Sequence, residues 1–115
     1  MRLKKYRMKP NQAELNLLGI LHENFPGKFK WNGGEVTIEG KIPDVLRVDQ
    51  HKIILELVGR RDIKGHTEED LEVKRTLYEK WGFHMMIIDT KDLKDEEKLC
   101  NDILFFVHFN LPKED

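Results

Sequence analysis

The run Ile53–Gly59, IILELVG, constrains the fold more than any other stretch of the chain. It has strand length and is apolar on both faces, so helices must cover the sheet on both sides. Its one polar residue, Glu56, stands in the middle. A carboxylate in that position is costly unless a cation or a hydrogen-bond donor meets it. Upstream, the dipeptide Pro43-Asp44 opens another apolar run, Val45–Val48. The short turn Asp49-Gln50-His51 lets the two runs fold back as antiparallel neighbours, with Asp44 and Glu56 at one sheet end. Two carboxylates converging at low local dielectric suit a hard divalent cation, with the Leu57 carbonyl as a further oxygen ligand.

The chain has 115 residues, the size of one domain, expected to span 1–115. Its formal net charge is −1, so no global basic field holds nucleic acid, and such a partner must be gripped locally. Residues 1–9 form a basic arm carrying Arg2, Lys4, Lys5, Arg7 and Lys9. Cys100 stands alone, which excludes an internal disulfide and a cysteine-based zinc site. That favours a reducing, cytoplasmic location. No segment approaches ~18 consecutive apolar residues, so no membrane-spanning helix is expected. The basic start lacks a following apolar stretch, which argues against a secretory signal.

Asn11 is placed to cap a first helix, with Glu14 in capping-box position. Leu15, Leu17, Leu18, Ile20 and Leu21 follow at helical spacing, and Pro26-Gly27 ends the pattern. Lys28–Asn32, Val36–Glu39 and Ile42–Val48 read as strands, with Asn32-Gly33-Gly34 as a turn. Lys52–Val58 is the central strand. Thr67 caps a second helix, Glu68–Trp81, with Leu71, Leu77, Tyr78 and Trp81 as its apolar stripe. Gly82 stops it, and Phe83–Asp89 is a strand parallel to the central one across the helical crossover. A last helix runs from about Lys94 or Asp95 to Phe109, with Leu99, Ile103, Leu104 and Val107 inward. The expected fold is α/β, a three-layer α/β/α sandwich with a mixed central sheet of about four strands. Trp31 and Trp81 read as core, and Met85-Met86 as strand core rather than a cofactor box; no organic cofactor is expected.

The ordered set Glu14, Pro43-Asp44, Glu56 in LELVG, His66, Asp70 and Lys74, followed by Leu77…Trp81-Gly82-Phe83…Ile87-Ile88, resembles the PD-(D/E)xK, or restriction-endonuclease-like, nucleases. Within that group it is similar to the very-short-patch repair endonucleases, their small relatives and the EDxHD homing endonuclease domains. The resemblance covers roughly Pro10 to Asp89. It implies a divalent-metal-dependent DNA endonuclease using Mg²⁺ or Mn²⁺, with Asp44 and Glu56 as ligands. A strict member carries lysine two residues after the glutamate, where this chain has Val58. The very-short-patch relatives lack that lysine and use a later histidine, for which His66 is the match. Its chemistry suits a general base, since histidine titrates near ~6.5. Glu14 and Asp70 read locally as helix caps, and only the resemblance makes them site residues.

Arg60, Arg61 and Lys64 lie in the loop GRRDIKG beside the expected site, as mobile charges for a DNA backbone or as a solvated loop. Lys74, one turn after Asp70, reaches a phosphate or pairs with Asp70. No separate DNA-binding module is present in the sequence, so weak specificity and nicking or structure-dependent cleavage are expected, in a repair, viral or mobile-element setting. The alternative function is a non-catalytic nucleic-acid or protein-binding module retaining the nuclease fold. Ile103–Leu111 carries more large apolar side chains than one helix face needs, and Phe105, Phe106 and Phe109 are a candidate homodimer face.

Overall fold

Six consecutive buried residues form β3, Ile53–Val58, and the other elements are arranged on it. The computed structural model describes residues 9–47, 49–62 and 66–110. The basic arm through Met8, together with Val48, Lys64 and Leu111, lies outside those residues. The remaining strands are β1, Lys30–Trp31, β2, Val45–Arg47, and β4, His84–Asp89. The helices are α1, Gln12–Asn24, α2, Glu68–Lys80, and α3, Glu96–Phe109, with a 3-10 turn at Thr90–Lys94 before the last. The sheet order is β1-β2-β3-β4, antiparallel up to β3 and parallel between β3 and β4. Among the described residues this is an α/β fold with an open mixed sheet of four strands and three α-helices.

Strand alternation divides the core into two layers. Val45, Ile53, Leu55, Leu57 and Ile88 pack with Leu17 and Leu21 of α1 and with Leu99, Ile103 and Val107 of α3. Leu46, Ile54 and Met85 pack on the other side with Ile38 and Tyr78 of α2. Each fully buried aliphatic side chain contributes ~1.5–3 kcal/mol, so covering both faces outweighs the cost of burying β3's single acid.

Both expected capping boxes form. The Asn11 side chain accepts the Glu14 N–H while Glu14 accepts the Asn11 N–H, and Thr67 and Asp70 repeat the pattern on α2. The expected strands Lys28–Asn32 and Ile42–Val48 contract to Lys30–Trp31 and Val45–Arg47 among the described residues. Val36–Glu39 is not a strand; only a bridge between Ile38 and Lys41 remains. The reason is Asn32, fully buried, whose amide takes both the N–H and the carbonyl of Val36 at 2.8 Å and folds the segment into a turn. Trp81 is exposed rather than core, its indole N–H donating to Glu39 at 2.8 Å. Leu104 also faces solvent, because Leu99, Ile103 and Val107 already fill the α3 contact with the sheet.

Candidate active site

The β2–β3 ladder pairs Val45 with Leu55, Leu46 with Ile54 and Arg47 with Ile53. Carried one residue further, that register sets Asp44 opposite Glu56. Leu46 and Ile54 lie on the α2 side, so alternation directs Asp44 and Glu56 to the same side. Each carboxylate takes a backbone N–H from the other's segment: Asp44 N–H donates to Glu56 Oε2 and Leu57 N–H donates to Asp44 Oδ2, both at 3.0 Å. Pro43 has no N–H to offer the ladder, and its carbonyl accepts from the Asn32 amide at 2.8 Å. The buried asparagine thus fixes the backbone immediately before Asp44. The turn signal at Asn32-Gly33-Gly34 was visible in the sequence, but this long-range role was not.

The two acids destabilise each other's charge. Burial above all, then the charge of Glu56, pushes the Asp44 carboxyl up to about 7, with Glu14 adding to the rise and the Leu57 N–H and Lys74 opposing it. Burial also raises Glu56 from its ordinary value, against the pull of Lys74, the Asp44 N–H and the charge of His66. A group with a raised folded-state value binds more protons folded than unfolded. For Asp44 that window runs from the ordinary 3.8 to about 7. With chelator present, wild-type stability should therefore fall relative to Asp44→Asn as pH rises from about 4 to about 7. Urea unfolding of both proteins at several pH values checks this; a constant gap between them would contradict it.

The cationic partner comes from α2. Lys74 Nζ lies 3.3 Å from Glu56 Oε1, and the side chains are 17% and 4% exposed. Tyr78, one helical turn further on, is fully buried, and its hydroxyl has no hydrogen-bond partner among the described residues. Burial, then the charges of Glu56 and Asp44, raise that hydroxyl's pKa. His66 brings a second buried orphan, Nδ1, at the start of α2. Tyr78 belongs to the apolar stripe of α2 and is core, as its spacing in the sequence predicts, and it also faces the acids. Its i, i+4 spacing from Lys74 was the available signal that both face the same carboxylate.

Of the other expected site residues, Glu14 keeps its capping bond and still acts electrostatically on Asp44. Asp70 closes the α2 capping box. Arg61 is an anchored strut rather than a mobile charge: it holds Asp89 at the end of β4 and Glu68 at the start of α2. Arg60 clasps Asp62 at the surface.

Among the described residues, no three His, Cys, Asp or Glu side chains group to hold a metal ion. The pair nevertheless fits Mg²⁺ or Mn²⁺, since Mg²⁺ usually keeps several waters and needs only one or two carboxylates plus substrate oxygens. Two neighbouring acids with a single ammonium, which sits on Glu56, leave a deficit of positive charge that such an ion would fill. Among the described residues, no helix is long and apolar enough to cross a membrane. No family model, no curated protein and no solved structure matches the chain.

Proposed function

We propose that this protein is a divalent-metal-dependent DNA endonuclease of the restriction-endonuclease-like kind, hydrolysing phosphodiester bonds. The observation that carries the reading is the mutual clasp of Asp44, just before β2, and Glu56 in β3, the second buried and the first half-buried, on the α2 side of the sheet. Asp44 and Glu56 would hold Mg²⁺ or Mn²⁺, with the Leu57 carbonyl completing the oxygen set. When bound, such an ion polarises the scissile phosphate and lowers the pKa of the attacking water. His66 lies near enough for its charge to act on Glu56, and an imidazole there would suit taking the attacking water's proton. Lys74 places positive charge beside the same carboxylates, where the phosphate's charge grows. Glu14 and Asp70 hold the ends of the two helices that flank the site.

The resemblance in the sequence points to the same reading, and although Val58 stands where a strict member has lysine, Lys74 brings an ammonium to Glu56 from α2 on the same face of the sheet. Incubation of supercoiled DNA with the purified protein tests the reading. Nicked or linear product should form with Mg²⁺ or Mn²⁺ and disappear with chelator. Cleavage that persists in chelator, or none with either metal, would refute it.

A further inference from the structure

Lys74 occupies an unusual position for a DNA-contacting residue, which is usually solvated and free to meet a phosphate. Its side chain is mostly covered, and its ammonium is turned into the sheet toward Glu56. We propose that the Lys74 ammonium is a resident substitute for the divalent cation: it neutralises Glu56 in the metal-free protein and yields that carboxylate when the ion binds. The inference rests on the metal reading above.

The geometry makes the two cations competitors. Glu56 Oε2 is committed to the Asp44 backbone N–H, which fixes the carboxylate against β2. Oε1 is the oxygen turned toward α2, and Lys74 holds it. An ion shared between Asp44 and Glu56 would stand close to that ammonium, and two positive charges in a poorly solvated space repel. One must leave. Lysine is suited to leaving: its charge is a point on a flexible four-carbon stem, without the fixed fork that would lock an arginine on a carboxylate. The partial exposure of the Lys74 side chain gives the ammonium a way out toward solvent. The released charge remains on the α2 wall beside the site, where a phosphate oxygen can accept it. The lysine thereby offsets part of the repulsion between the two acids before the ion arrives, and changes partner once it has.

Calorimetric titration with Mn²⁺ at fixed pH, without DNA, tests the proposal. Lys74→Met removes the charge and keeps the length, so Mn²⁺ should bind about tenfold tighter or more, as expected when a competing positive charge beside the ion's place is deleted. Lys74→Arg, which keeps the charge, should show no such gain. Metal-free Lys74→Met should melt below the wild type, and Mn²⁺ should raise its Tm by more. On the unaltered protein, an amine-reactive reagent read by mass spectrometry should label Lys74 faster once Mn²⁺ saturates the site, and this measurement decides if Lys74→Met does not fold. Wild-type binding of Mn²⁺ with no gain in Lys74→Met, or unchanged labelling of Lys74, would overturn the proposal and leave the metal reading standing. Failure of both wild type and Lys74→Met to bind Mn²⁺ would overturn the metal reading and this proposal with it.

Discussion

Asp44→Ala should lower Mg²⁺-dependent DNA cleavage by about three orders of magnitude, as expected for loss of a group on which transition-state charge stabilisation depends. The fold should survive the change. Asp44 begins the segment leading into β2, and the alanine removes an acid already held in an unfavourable environment. Its removal leaves the Leu57 N–H without its acceptor, a cost of ~1–3 kcal/mol. It also relieves the repulsion felt by Glu56, an opposing gain. The net change in stability should therefore stay within ~2 kcal/mol. A nicking assay beside a urea titration separates the two effects. Unchanged cleavage by well-folded Asp44→Ala would remove this aspartate from the site.

Asn32→Ala should be the more damaging change to the fold, costing ~3–5 kcal/mol. Its side chain makes three bonds at full burial: to the Val36 N–H, the Val36 carbonyl and the Pro43 carbonyl, each at 2.8 Å. Alanine would strand the buried Pro43 carbonyl and the two partly buried Val36 groups, each carrying a desolvation cost. The loss would also reach the site, since Pro43 leads directly into Asp44. Metal affinity should therefore fall along with stability, although Asn32 carries no charge. Equilibrium unfolding measures the first effect and calorimetry the second. A loss below about 1 kcal/mol would show that water or a relaxed turn satisfies these groups instead.

The parts of this molecule that could be read from the chain are those governed by local rules. The apolar run of β3 demanded cover on both faces and received it from α1 and α3 on one side and α2 on the other. Asn11 with Glu14, and Thr67 with Asp70, announced their helices through residues three apart. The single helix between β3 and β4 implied their parallel pairing. The meeting of Asp44 with Glu56 followed from a short turn and strand alternation. What escaped depended on long-range choices by polar side chains. Val36-Thr37-Ile38-Glu39 alternates as a strand should, but the Asn32 amide claims the Val36 backbone groups. Trp81 lies in register with an apolar stripe, yet beyond Lys80 the helix has ended and its indole turns to Glu39. Lys74 had two local partners to suggest, Asp70 and a phosphate. Its bond to Glu56 joins residues 18 positions apart, through the packing of α2 on the sheet.

That packing leaves one question that a single experiment addresses most directly: what stands between Asp44 and Glu56 when divalent metal is supplied. Anomalous diffraction from crystals grown with Mn²⁺ should show one strong peak within about 2.5 Å of an oxygen from each carboxylate. Crystals saturated with Mn²⁺ in which no peak touches either acid would contradict the account at its centre.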